Sequence, residues 1–293
     1  MNDFSLRELE CFVAVAEELS FTRAAKRLHM AQPPLSRHIQ ALESRLGARL
    51  LDRSTRGVSI TAAGRAFLQD TKSALTQLQR AVSSAKRVVQ GETSRLEIGF
   101  SSTVYSMELV HLFERFRTRH PSIQIVLHDL LPADQLREIS EGKLDGGFVG
   151  TAPRRKAPEF TFIPWLQEEL LLFVPPGHAL AKSQRVSFSQ LREESFLSLS
   201  SKASPAFSAH FHELCRRAGF RPRIIQEADR AQALAVMIST GAGIAVLPAA
   251  IKRVVGNSLS ALKIADKSAS LTHMFAHKSA HPSGPLGDFL RRF

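Results

Sequence analysis

With 293 residues, 44% of them hydrophobic and 23% charged, the chain has material for two or three compact units with cores of their own, which excludes a disulfide-stapled miniprotein and a disordered chain. No apolar run approaches the roughly 18 residues that a membrane-crossing helix needs, and acidic and basic residues interrupt the first twenty positions, so neither a membrane span nor a secretory leader is expected and the location is expected to be cytoplasmic. The net charge of +12 favours a polyanionic partner, and half of it sits between Phe21 and Gly57, where eight arginines and lysines face two acids.

Leu6, Leu9, Phe12, Val13, Val15 and Ala16 recur at helical spacing and predict a first helix. A second, short helix is predicted from about Phe21 to Leu28, with Ser20 as its N-cap and Ala24, Ala25 and Leu28 on its inner face. Residues 29–31 suffice only for a turn. A third helix opens at Pro33 and Pro34, tolerated where no intrahelical amide partner is lost, and runs through Leu35, Ile39, Leu42 and Leu46 to Gly47. Two short helices joined by a tight turn form a helix-turn-helix unit. Residues 49–53 and 58–61 then flank Ser54, Thr55, Arg56 and Gly57, a hairpin with a basic tip that reads as a wing.

From Thr61 to Val89 a long helix is predicted, with Leu68, Thr71, Leu75, Leu78, Val82, Ala85 and Val89 at alternating steps of three and four. Such a stripe suits a coiled-coil dimer seam, or a helix packed on its own domain. Residues 91–94 are small and polar and read as a hinge. Beyond them, short apolar runs at 96–100, 123–127, 146–149, 169–174, 196–199 and 244–247 predict strands, and amphipathic stretches at 106–119, 133–142, 204–218 and 229–240 predict helices. Their alternation predicts a mostly parallel α/β architecture of one or two sheets with right-handed crossovers.

Catalytic chemistry finds no carrier in this pattern. Gly241, Ala242 and Gly243 precede a predicted strand and lack the later glycine of a dinucleotide fingerprint, and no nucleophile elbow, zinc-protease motif or phosphate loop is present. His111, His120, His128 and His178 are scattered singly. Cys11 and Cys215 are far apart in sequence, which supports neither a disulfide framework nor a four-ligand metal site. No metal, no cofactor and no enzymatic activity are expected.

The stretch from Phe12 to Arg53, with Thr61, Ala62, Ala63 and Gly64 after it, resembles the LysR-type transcriptional regulators in one unbroken match through helix-turn-helix, wing and linker helix. The runs at 96–101, 143–148 and 241–248 fall where that family's effector domain has its own signatures, so the likeness spans essentially the whole chain. Within the family, Gln32 to Arg37 and the effector-domain runs look nearest to regulators of aromatic-compound degradation that respond to benzoate, muconate or chloromuconate. The resemblance implies a winged helix-turn-helix over residues 1–60, a linker and dimerisation helix over 61–90, and a regulatory domain over 91–293. That domain would be two α/β lobes like a periplasmic solute-binding protein, one of about 93–162 with 268–293, the other of about 163–267. It further implies double-stranded DNA with an interrupted palindrome, RNA polymerase, a small effector and a homodimer or homotetramer as partners.

Geometry distributes the DNA contacts. At the start of the third helix Arg37 suits a guanine edge, Gln32 an adenine edge and Ser36 a base or phosphate, while Pro33 and Pro34 suit thymine methyls. Arg53 and Arg56 on the wing, and Arg23 on the second helix, suit phosphates or the minor groove; solvated surface charge is the alternative for each. In the regulatory domain Ser101, Ser102 and Thr103 lie between a strand and a helix and suit a carboxylate, and Ser201 to Ser204 make a second such place. Thr103 and Phe207 match a pocket hydroxyl and a pocket aromatic of the aromatic-compound regulators, and Arg230 is a possible counter-charge for an acidic ligand. Pro132 stands where those relatives carry a threonine and can donate nothing, which separates this chain's ligand from theirs. Rival readings are a thiol-based oxidation sensor using Cys215 and a nonspecific DNA binder.

Overall fold

The computed structural model describes residues 4–54, 57–89, 94–153, 157–278 and 282–291. The chain divides into two compact units, Met1–Glu92 with Ser140–Lys143, and Thr93–Ile139 with Leu144–Phe293.

The first unit holds helices α1 (Leu6–Glu18), α2 (Phe21–Arg27) and α3 (Gln32–Leu46), strands β1 (Leu51–Ser54) and β2 (Gly57–Ile60), and helix α4 (Ala62–Val89). Each short helix has a chemical reason to begin where it does. Ser5 and Glu8 cap α1 reciprocally through side chain and backbone, and the Ser20 hydroxyl accepts from the Arg23 amide at 3.3 Å at the head of α2. Gly47 ends α3 in the left-handed region at φ 65°, a conformation a β-carbon disfavours. The faces that meet bury Phe12, Val15, Ala24, Leu35, Ile39 and Leu42, with Phe67 of α4 against Phe12 at 5.4 Å between ring centres. Glu43 fastens the wing by accepting from the amides of Leu50 and Leu51 at 2.8 and 3.0 Å. Gly64 is required by close approach: a β-carbon there would stand 2.1 Å from the Leu50 carbonyl oxygen.

In the second unit β3 (Ser94–Phe100), a short 3₁₀ turn at Ser102–Val104, α5 (Met107–Arg119), β4 (Ile123–Asp129), α6 (Pro132–Ser140) and β5 (Gly146–Gly150) follow one another. Strand β6 (Thr161–Val174) leads into a second group of β7 (Arg185–Val186), β8 (Ser195–Leu199), α7 (Pro205–Arg217), β9 (Arg223–Ala228), α8 (Ala231–Ser239), β10 (Ala245–Pro248), α9 (Ile251–Val255) and β11 (Ser260–Ile264). Strand β12 (Ser270–His277) and α10 (Gly284–Leu290) complete the unit. The sheet order is β4-β3-β5-β12-β6-β11-β7, with β10 also on β6 and β8-β9 paired separately.

The expectation of a mostly parallel sheet is corrected. Strands β3, β4 and β5 are parallel, as are β8 and β9, but β12 runs antiparallel to both β5 and β6, and β10 and β11 run antiparallel to β6. The reason lies in β6, at 14 residues longer than the predicted 169–174. Its first part pairs with β12 from Thr161 to Glu169, and its last part pairs with β10 and β11 from Leu170. One strand thus serves two lobes. Separate apolar cores lie on either side of this change of partners: Phe116, Phe148, Phe275 and Phe289 in one lobe, and Phe173, Phe196, Leu214 and Leu234 in the other.

Candidate functional site

Two places in the chain carry candidate chemistry, one in each unit. In the first, α3 turns Leu35, Ile39 and Leu42 into the core, which puts Gln32, Pro33, Arg37 and Gln40 on the solvent face with Ser36 and Pro34 half-buried beside them. Among the described residues Arg37 has neither a hydrogen bond nor an ion pair, so its guanidinium keeps all its donors. Gln40, three residues past Arg37, belongs to the same face and was not singled out from the sequence. The spacing of three from Arg37 was the available signal.

The neighbouring cations are arranged differently. Arg53 donates to the Ser36 hydroxyl at 3.3 Å, stands 3.6 Å from a Glu43 oxygen and lies over the Phe21 ring at 4.8 Å from its centre. It therefore ties the wing to the start of α3 before any DNA arrives. Arg23 is engaged by the carboxylate and carbonyl of Glu18, and Arg27 by Glu17 at 2.7 Å. Burial pushes the Glu17 carboxyl upward, but hydrogen bonds from Lys72 and Arg27 outweigh this and hold it below its ordinary value. Arg56 lies outside the described residues.

In the second unit a cavity of about 50 Å³ is bounded by the 3₁₀ turn after β3, the ends of β5, β8 and β10, the first turns of α6 and α7, and strand β12. Pro132, Leu136, Leu199, Phe207, Pro248 and Leu271 make most of its wall apolar, and Thr103, Thr151, Ser204 and His273 are its hydrogen-bonding side chains. Pro132, which can donate nothing from its side chain or its nitrogen, opens α6 and lines the cavity. A smaller recess of about 10 Å³ shares Thr103, Pro132, Leu199 and Ser204 and adds Ser101, Asp229 and Arg230. Since one water needs roughly 10–15 Å³ measured this way, the cavity holds a few atoms beyond its wall and the recess about one.

The residues singled out from the sequence are distributed unevenly over this geometry. Ser101 and Thr103 share a hydrogen bond of 2.8 Å at the recess. They do not stand at the head of α5: the 3₁₀ turn intervenes, and the helix is capped by Ser106, which accepts from the Leu109 amide at 3.2 Å. The Ser102 side chain lies outside the described part of the structure. Ser204 precedes α7, is 7% exposed and makes no cap with its hydroxyl, whereas Ser201 is exposed and lines neither the cavity nor the recess. Phe207 is both wall and core. Arg230 reaches the recess with its guanidinium already 3.2 Å from both carboxylate oxygens of Asp129, the last residue of β4. Thr151, Pro248 and His273 come from segments to which no binding role was assigned; the alternation of apolar residues in β12 was the one signal that would have marked His273 as inward-facing.

Both cysteines are buried. Burial pushes the Cys215 thiol up to about 12 and raises that of Cys11, where Arg7 works in the opposite direction.

Comparison with known proteins assigns the chain to a family. Residues 6–65 match the model of the bacterial regulatory helix-turn-helix protein, lysR family, and residues 90–293 match the LysR substrate binding domain. The chain is 35% identical to the HTH-type transcriptional regulator YnfL of Escherichia coli (strain K12), over 97% of this chain and 95% of that one. It is 34% identical to the HTH-type transcriptional regulator BenM of Acinetobacter baylyi, over 90% and 86% of the two chains. The structure of full-length CbnR in complex with its target DNA superposes with a TM-score of 0.70 at 26% identity, over 98% of each chain. The chain belongs to the LysR family of DNA-binding, effector-controlled transcriptional regulators.

Proposed function

We propose that this regulator reads an interrupted palindrome as a dimer or a tetramer of the chain, and that a small acidic molecule in the cavity of the second unit controls what it does there. Arg37 and Gln32 contact base edges, with Gln40 further along the same face. Ser36 and Pro33 lie at the floor of the groove, and Arg23 and Arg53, with Arg56 of the wing tip, set register on phosphates. The observation that carries this reading is the bare guanidinium of Arg37 on the open face of α3, in contrast to Arg23, Arg27 and Arg53, which are held by Glu18, Glu17 and Glu43. A base-reading donor must be free, whereas register contacts tolerate exchange of one anion for another.

Dimerisation through α4 is supported by the apolar stripe left uncovered along it: Leu78 is 45%, Val82 49% and Val89 88% exposed. Residues 1–60, 61–90 and 91–293 are proposed as DNA-binding, dimerising and regulatory segments. Ser101, Thr103, Ser204 and Phe207, with Ser102 between the first two, are proposed to hold the effector, and Arg230 its charge once it leaves Asp129. Ligand-dependent closure of the lobes would change DNA bending and contact with RNA polymerase, without catalysis, in the cytoplasm.

The test is to incubate the purified protein with sheared genomic DNA at moderate salt and to sequence what is retained. A few dominant fragments sharing an interrupted palindrome are expected. Uniform retention that vanishes as salt rises would mean phosphate attraction alone and would overturn the reading.

A further inference from the structure

The cavity contains a polar arrangement that the fold does not use. His273, 1% exposed, turns Nε2 to the carboxylate of Glu168, which lies outside the cavity wall and also accepts from the Ala250 amide at the head of α9. A carboxylate accepts and does not donate, so Nε2 carries the hydrogen of this contact, and in that tautomer Nδ1 is left as an acceptor. Among the described residues Nδ1 is buried with no hydrogen-bond partner, and so is the Oγ1 of Thr151, which lines the same cavity. Buried polar atoms are rarely left unpaired, and two on residues that line one cavity, one an acceptor and one a hydroxyl able to donate or accept, are complementary to a hydroxyl group. The other end of the space offers Thr103 and Ser204, with Ser101 and Arg230 in the recess beyond.

We infer that His273, held in orientation by Glu168, is a specificity-determining contact of the cavity, and that the effector is a compact acid bearing a hydroxyl group at the end remote from its carboxylate. The inference rests on the reading of the cavity as the effector site. The acid end lies at the recess, where hydroxyls and Arg230 meet; the body lies along Pro132, Leu136, Phe207 and Pro248; the hydroxyl donates to His273 Nδ1 and accepts from Thr151. Compactness follows from the volume, which admits only a few atoms unless the lobes part.

Matched acids test it on the full-length protein by isothermal titration calorimetry: butyrate against 4-hydroxybutyrate, and benzoate against 4-hydroxybenzoate. In at least one pair the hydroxylated member binds on the order of tenfold tighter or more, because the analogue lacking it leaves both polar atoms unpaired. His273→Leu removes that preference, Thr151→Val reduces it, and His273→Gln, which keeps an acceptor, retains part of it. A melting transition followed by circular dichroism establishes that each variant folds, and the preference ratio is insensitive to a uniform loss of affinity. Equal affinity of the two members for the unaltered protein, a preference unchanged in folded His273→Leu, or no binding of any of the four acids at roughly millimolar concentration overturns the inference. Tight binding of the plain acids with no preference would do so while leaving the acidic-effector reading intact, and the DNA-retention experiment judges the regulator reading independently of all four.

Discussion

The outer face of α3 and the cavity beside α7 meet their ligands by opposite physics. On α3 the apolar residues Leu35, Ile39 and Leu42 are hidden and a free guanidinium is held out to solvent, where a polyanion can reach it. In the cavity Phe207, Leu271 and Pro248 face the ligand space, and the one arginine or lysine among the described residues that line the cavity or the recess, Arg230, stands at the recess already matched to Asp129. Long-range attraction and strong salt dependence belong to the first, and selection by shape and by a few buried hydrogen bonds to the second. Affinity for DNA therefore comes from many weak charges repeated over two or more copies of the chain. On the proposed reading, affinity for the effector comes from very few contacts within one copy.

Breaking the repetition has the largest expected effect. Leu78→Glu with Val82→Glu places like charges along the uncovered stripe of α4 while leaving the buried face of the first unit untouched. Sedimentation should show the dimer dissociating, and affinity for a selected fragment should fall by about 100-fold or more as the second head loses its tether. An unchanged association state would reassign the stripe and leave each head to bind alone.

Arg37→Ala sharpens the same contrast at a single residue. Loss of a bidentate contact to a base costs roughly 1–3 kcal/mol, or about 5–150-fold at the selected site, with little change on random-sequence DNA. Arg23→Ala should weaken both kinds of DNA alike and lower the salt slope by about one. Fluorescence anisotropy on the two DNAs at several salt concentrations separates these outcomes. Equal losses for Arg37→Ala on both DNAs would make it a phosphate contact and remove the base-reading role.

The two regions also differ in how far a sequence discloses them. The helix-turn-helix is local: Ser20, Gly47 and the spacing of Leu35, Ile39 and Leu42 lie within thirty residues, and each acts on its own helix or its neighbour. The cavity is assembled from 103 to 273; Thr103 and Ser204 were legible because they lie between predicted strands and predicted helices, and Thr103 also through the family resemblance. Thr151 sits after β5 with no helix to announce it. His273 lies on β12, whose polar residues Ser270, Thr272 and His277 obscure a strand, just as Pro164 and the exposed residues between 161 and 169 obscure the first part of β6. Those two strands are also why the sheet is mixed: a strand recognised by apolar density alone is a strand buried on both faces, which favours the parallel ones.

The smallest expected effect concerns Cys215, which sits among the apolar residues around Phe211 and Leu214. A thiol pushed up to about 12 is deprotonated in no more than about one molecule in ten thousand at pH 8, and the thiolate is the form that peroxide attacks. Its first cause is burial, so only opening of the lobe core would change it. Cys11 is likewise buried with a raised thiol, in the other unit, and offers no resolving partner close in sequence. Peroxide at levels that leave the fold intact should therefore not alter DNA affinity, and Cys215→Ser should bind DNA and effector as the unaltered protein does. A peroxide response that disappears in Cys215→Ser would mean that the lobe core opens on the timescale of signalling. The contrast between an exposed, charged reader and a closed, apolar sensor would then have to be redrawn around a core that is not closed.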